Sequence, residues 1–265
     1  MQHKLAYPHL PYWDSLGTLR VGPARFEHAP AELADLALAL HQPKSRDELI
    51  AAVPTLGIRW HGRMLSAFAS LGMLARGSAA GEVAVFGSSP AAFAIRRGLH
   101  SAGQPSKSFG AGAEREALPG RRVGEALRCR PRLVVLASDT AEPCRTITDA
   151  LAKARVPYLP VRLEPGKASV GPLASPESSC LRCFDLWRAA ADPEWPLELA
   201  QLAHARVESP GWLTSWAVST ACAQVLAHIS GQIPDTGFRT LSMSVAEFAI
   251  TEREVPQHPQ CPFHF

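Results

Sequence analysis

The sequence lacks most of the features that assign a function at sight. It has no apolar run long enough for a bilayer. The longest helical apolar stretch, 213–229, is interrupted by Thr214, Ser215, Ser219, Thr220, Gln224 and His228, which excludes a membrane span. The start, Met1-Gln2-His3-Lys4-Leu5, has no apolar h-region behind it, so no signal peptide is expected and a cytoplasmic location is. Charge of one sign is scarce: the formal net charge is +3 over 265 residues, too little to indicate nucleic acid by itself. Lysine occurs only at positions 4, 44, 107, 153 and 167. Arginine carries most of the positive charge, a pattern that coding bias explains as well as function does. A complete G-x-G-x-x-G loop after a strand is also missing, which argues against a nicotinamide oxidoreductase.

What is present is enough for a core. Apolar residues make up 46% and charged residues 19%, and the length suits one large domain or two modest ones. Near the N-terminus, Leu10-Pro11-Tyr12-Trp13, the turn-like Asp14-Ser15-Leu16-Gly17, the alternating Thr18-Leu19-Arg20-Val21, the turn Gly22-Pro23 and the segment 24–28 predict three short strands. Three helices are expected next: 31–41 with Leu33, Leu36, Leu38 and Leu40; one capped by Ser45 with Glu48 three positions on; and 62–76 with Met64, Leu65, Phe68, Leu71 and Leu74 on one face. Residues 77–81 read as a flexible linker. The spacing predicts domains at 1–77 and 82–265. Three strands and three helices in the first resemble a winged helix-turn-helix. A DNA-reading third helix needs exposed basic or amide side chains, and this one offers only Arg63 and Arg76, so nucleic acid is not the favoured partner.

From Glu82 the pattern becomes βαβ, predicting an open parallel sheet. Strands are expected at 83–87, 132–138 and 157–163, helices at 91–101, 140–154 and 217–230, and late strands within 238–251. Gly87-Ser88-Ser89-Pro90 stands where a nucleotide-binding loop would be, but only the first glycine is there and Pro90 removes an N–H donor. Asp139 follows the second strand, where a carboxylate either holds a metal or ribose or caps a helix. The cysteines are more specific. Cys180-x-x-Cys183 and Cys261-x-x-His264 form two half-sites, and three thiolates with one imidazole are an ordinary structural zinc set. A redox pair at Cys180 and Cys183, or His258 in place of His264, remains open. Cys129, Cys144 and Cys222 read as buried apolar residues.

The run Leu133-Val134-Val135-Leu136-Ala137-Ser138-Asp139-Thr140, then Val156-Pro157-Tyr158, Val170-Gly171-Pro172, Cys180-x-x-Cys183 and His258-Pro259-x-Cys261-Pro262-x-His264 resembles the ubiquitin-activating-type fold of the ThiF and MoeB proteins over about residues 82–265. Active members of that superfamily adenylate a peptide C-terminus with ATP. Gly87 and Asp139 would be the vestiges of their nucleotide site, since the glycine loop is degraded, no lysine stands nearby, and the crossover stretch 192–209 holds no cysteine. The whole chain resembles one branch, the partner proteins of YcaO cyclodehydratases in the biosynthesis of thiazole/oxazole-modified peptides. The resemblance implies an N-terminal winged-helix domain that takes the leader of a precursor peptide as an added strand, and a zinc-bearing domain without catalysis of its own. The matching strand would be Arg25-Phe26-Glu27-His28, and the groove side of the third helix would use Arg63, Leu65, Phe68 and Ala69; Leu65 and Phe68 fit a core role equally well. Expected partners are the precursor leader and a YcaO-type enzyme; the superfamily commonly pairs, so a homodimer is a further expectation. The alternatives are a working adenylyltransferase and a winged-helix DNA-binding regulator.

Overall fold

The computed structural model describes residues 2–5, 9–42, 44–74, 82–109 and 119–264. Arg76 and the linker expected at 77–81 lie outside them. The chain divides into two compact units, Met1–Ala79 and Ala80–Phe265.

The first unit contains β1 (Gln2–His3), β2 (Pro11–Trp13), β3 (Leu19–Val21), β4 (Ala24–Phe26), α1 (Glu32–Ala39), β5 (Lys44–Ser45), α2 (Arg46–Ala52) and α3 (Ile58–Ser70). β2, β3 and β4 form an antiparallel sheet in that order, and β1 pairs with β5. The first turn is organised by Asp14. Its Oδ1 accepts from the N–H groups of Leu16 and Thr18, both at 3.0 Å, and its Oδ2 accepts from Arg20 Nε at 2.9 Å. The second turn is the two-residue loop Gly22-Pro23, with Gly22 at φ 56°. Glycine at the first loop position with proline second fits the tight hairpin turn whose twist matches the strands.

Alternation puts Leu19, Val21, Ala24 and Phe26 on the inner face of this sheet. There they pack with Leu33, Leu36, Leu40, Leu49, Met64 and Phe68. The rings of Phe26 and Phe68 meet edge-on, 6.0 Å apart, which sets α3 against β4. The expected strand over residues 25–28 stops at Phe26; Glu27 and His28 form a turn, with His28 at φ 52°. The predicted capping box is formed: Ser45 Oγ accepts from Glu48 N, and the Glu48 carboxylate accepts from Ser45 N at 2.6 Å. The third helix starts earlier than expected, after Gly57, and Gly62 lies inside it rather than at its start. It stops before Gly72, which at φ 65° lets Met73 N reach Phe68 O and Gly72 N reach Ala69 O, a left-handed C-terminal cap. Leu71 and Leu74 therefore follow the helix.

The second unit contains β6 (Val83–Phe86), α4 (Pro90–Ser101), β7 (Ser106–Phe109), α5 (Pro119–Arg128), β8 (Leu133–Ala137), α6 (Arg145–Lys153), β9 (Tyr158–Glu164), β10 (Lys167–Val170), α7 (Leu181–Ala191), α8 (Trp195–Leu202), α9 (Gly211–Ile229), β11 (Arg239–Ser244) and β12 (Ile250–Glu254). Its strands make one seven-stranded sheet in the order β12-β11-β10-β9-β8-β6-β7. The predicted parallel sheet is only half of it. β7, β6, β8 and β9 run parallel, whereas β9 to β12 are antiparallel. The turn at Gly166 (φ 76°) folds β10 back on β9, and no βαβ pattern signals that reversal.

Every residue of β6 and β8 is buried, as expected of parallel strands covered on both faces. One face packs Val83, Val85, Leu133 and Val135 against Ile95, Leu99, Leu213, Ala217 and Val225. The other packs Ala84, Phe86, Val134 and Leu136 with Ile147, Leu151, Leu181 and Phe184. α6 starts five residues later than expected because the preceding segment runs beside the 202–206 stretch, with Ala141 N donating to Ala205 O.

Candidate metal centre and nucleotide crevice

Two elements deliver the cysteine cluster. Cys180 is the residue before α7 and Cys183 lies in its first turn. Helical spacing turns both sulfurs the same way, and they stand 3.8 Å apart. The segment after β12 returns Cys261, whose sulfur is 3.6 Å from that of Cys180. The donor atoms of Cys180, Cys183, Cys261 and His264 all lie within 4.8 Å of one another, and the three cysteines are buried. Zinc–thiolate bonds of about 2.3 Å in a tetrahedron separate the sulfurs by about 3.8 Å, so the spacing fits such an ion.

The local chemistry fits it too. The hydrogen bond from Cys180 pulls the Cys183 thiol down to about 5. The same bond, then burial, pushes Cys180 up, and burial pushes Cys261 up. A divalent ion would let all three sulfurs ionise. His264 Nε2 is buried without a hydrogen-bond partner, a cost that a metal bond would remove. His258 N donates to Cys183 Sγ at 3.3 Å, an outer contact that steadies a ligand. Its ring is otherwise engaged: Nδ1 accepts from Gln260 N at 3.1 Å, and the ring packs on Trp187 at 4.6 Å. The structure thus brings His264, not His258, to the cysteines. Cys222 and Cys144 are half-buried and Cys129 is exposed, so Cys129 is not the core residue expected; it follows the last turn of α5, where the chain is at the surface.

The nucleotide-type crevice lies at the C-terminal ends of β6 and β8, where the strand order reverses and open α/β sheets bind ligands. Gly87 has φ 119°, and a Cβ there would collide with the backbone carbonyl of Ala137. This glycine is required for the close approach of two strands. Ser88 Oγ donates to Asp139 Oδ2 at 2.6 Å. Ser89 Oγ accepts from Ala92 N, capping α4, and donates to Ala137 O, both at 3.1 Å. The loop's hydroxyls are therefore engaged within the protein, and Pro90 supplies no N–H.

A buried charge network was not foreseen. Arg145 forks onto both Asp185 oxygens at 2.7 and 2.8 Å and reaches Glu142 at 2.9 Å; Arg162 reaches the other Glu142 oxygen at 3.1 Å. It ties α6, β9 and α7 together. Glu142 and Arg145 are three residues apart, but Arg162 and Asp185 lie 17 and 40 residues beyond Arg145, and no spacing links them. Arg162 within an otherwise apolar strand was the only visible sign.

The residues expected to hold a peptide separate into two groups. Arg25, Glu27, His28, Arg63 and Ala69 are exposed and Leu65 is half-buried. Phe26 and Phe68 are 1% and 0% exposed. Their side chains belong to the core, because the inward face of β4 is the face α3 covers.

No family model matches the sequence, and no curated protein matches it. Solved structures do match, and what they share with this chain is its α/β fold. Among them is the heterocyclase TruD, with TM-score 0.58 and 13% identity, covering 99% of this chain and 42% of that one. Another is Escherichia coli MccB solved with ATP, at TM-score 0.52 and 11% identity, covering 100% of both chains. MccB with selenomethionine-labelled MccA matches at TM-score 0.53 and 12% identity over 99% of both. The chain therefore spans less than half of TruD and the full length of MccB. At such identities the likeness is one of fold.

Proposed function

We propose that this chain binds the leader of a ribosomal precursor peptide and presents it to a YcaO-type cyclodehydratase, contributing recognition rather than catalysis. The first unit is read as the winged-helix recognition domain, and the second as a scaffold fastened by structural zinc. The observation that carries the reading is the open edge of β4 set against α3. β4 pairs only with β3 among the described residues. In a hairpin with a two-residue loop the flanking pair, here Val21 and Ala24, exchanges the ladder hydrogen bonds. Arg25, one residue on, then turns its N–H and C=O to the free edge. An extended peptide adds there by main-chain bonds, with side-chain pockets supplying choice. The comparisons support the setting: MccB is solved with MccA, and this chain matches 42% of a heterocyclase.

Fluorescence polarisation with a labelled precursor leader tests this. Arg25→Pro deletes the outward N–H without touching the β3 ladder and weakens binding about tenfold, roughly one main-chain bond; Arg25→Ala keeps most of the affinity. Undiminished binding by the proline variant rejects the strand site. The second reading is an ATP-dependent adenylyltransferase, favoured by the full-length match to MccB solved with ATP. The Ser88–Asp139 bond and Pro90 weigh against it, and ATP–pyrophosphate exchange by the purified chain would establish it.

A further inference from the structure

In the second unit, the outer face of α4 and the strand edge beside it form an open groove of about 620 Å³, lined by Pro90, Phe93, Arg96, Arg97, His100 and Ser106. Phe93, Arg97 and His100 are four and three residues apart and share one helix face. Phe93 is 62% exposed. Arg96 Nε is buried and has no hydrogen-bond partner among the described residues. Among the described residues no acidic side chain lines the groove, and the nearby Glu82 is held by Lys107 at 2.6 Å. The groove meets β7 at its first residue, Ser106, and among the described residues β7 pairs only with β6. It therefore presents main-chain donors and acceptors on its outer side. Three basic groups, an exposed aromatic ring and an open strand edge converge on one groove.

We propose that this groove docks an extended acidic peptide segment of a partner protein, which pairs with β7 and lays alternate carboxylates against Arg96, Arg97 and His100. The charge decides the sign of the ligand. The strand edge decides its class, because unpaired main-chain groups match a peptide backbone, and the groove is much larger than a single phosphate requires. Phe93 provides an apolar contact between carboxylates. The site lies wholly in the second unit and is independent of the β4 edge.

The probe is a fluorescein-labelled peptide of alternating glutamate and valine, titrated against the full chain by polarisation. Saturable micromolar binding is expected, weakened about tenfold by Arg97→Glu and by rising ionic strength. Arg97 is exposed, so its replacement leaves the fold intact, which circular dichroism verifies. A probe N-methylated at alternate positions loses most of the affinity. The proposal is overturned if the glutamate peptide does not bind, if an alternating lysine–valine peptide binds as well, if Arg97→Glu has no effect, or if N-methylation changes nothing. Displacement by inorganic phosphate or AMP at the peptide's own concentration would also overturn it, since the site would then be one for small anions. Leader binding at β4 is unchanged in Arg97→Glu, so failure here is distinguishable from failure of that reading.

Discussion

Replacing Cys261 by serine isolates the fastening of the C-terminal segment. In the native arrangement the metal would close a loop of about 80 residues between Cys183 and Cys261, and the chain-entropy relation for such a closure gives about 4.5 kcal/mol. The realised effect is smaller, because the segment has other anchors. Val255 N donates to Phe238 O at 2.7 Å, Trp187 Nε1 to Pro256 O at 3.0 Å and Gln257 Nε2 to Ser178 O at 3.2 Å. A loss of about 2–4 kcal/mol is expected, lowering the melting temperature by roughly 5–15 °C for a unit of this size. Elemental analysis of the native chain should find one zinc per chain, and a chelator should reproduce the Cys261→Ser melting curve. Hydrogen exchange should quicken across residues 255–264 in both cases. His264→Ala weakens zinc retention while His258→Ala keeps it. A native chain that holds no metal and melts identically with and without chelator would refute the reasoning.

Other perturbations follow from the core and the buried charges. Arg145→Ala leaves the buried Asp185 carboxylate without its cation, held by Trp195 Nε1 at 3.2 Å, and removes one of the two arginines on Glu142, a loss of about 3–5 kcal/mol by urea denaturation. Burial works against the Glu142 carboxylate, but Arg162 and Arg145 prevail and hold its pKa below the usual value. Its stabilisation is complete above the unfolded pKa of about 4.5 and is lost as pH falls through the lower folded value. Denaturation midpoints should therefore fall below pH about 4.5 more steeply for the native chain than for Glu142→Gln. Phe26→Asp puts a charge into the first unit's core and unfolds that unit, costing about 3–5 kcal/mol or more. Limited proteolysis would show it, and loss of leader binding in that variant would report unfolding rather than recognition.

Legibility in the sequence followed locality. The capping box at Ser45, the turns at Asp14 and Gly22 and the buried strands β6 and β8 are short-range patterns, and the structure forms them. β7 was missed because Ser106-Lys107-Ser108-Phe109 carries one apolar residue, and an edge strand needs no more. The start of α3 was misplaced because Gly62 reads as a helix boundary when nothing shows that packing of His61 and Met64 holds it in mid-helix. The antiparallel half of the large sheet rests on the Gly166 turn, whose signal is weak beside the βαβ rhythm before it. The cysteines of the candidate metal cluster were visible from spacing, since two residues between ligands place both on one side of a turn, whereas spacing left His258 and His264 open. The Glu142–Arg145–Asp185–Arg162 network was not, because its geometry exists only once three elements are assembled. Phe26 was placed in the peptide-pairing strand, and Phe68 was left between groove and core, for want of a third dimension: alternation tells which residues share a face, not which face is covered.

The shortness of β4 bears on timing. A three-residue strand turns a single residue outward, so a guest backbone finds at most one N–H and one C=O, together worth about 1–3 kcal/mol. A millimolar complex already requires about 4 kcal/mol. Most of the grip must then come from the guest's side chains, and the backbone contribution serves chiefly to set its direction. Complexes held in this way exchange quickly. Under the proposed function, an edge too short to hold on would let each modified peptide leave before the next is taken.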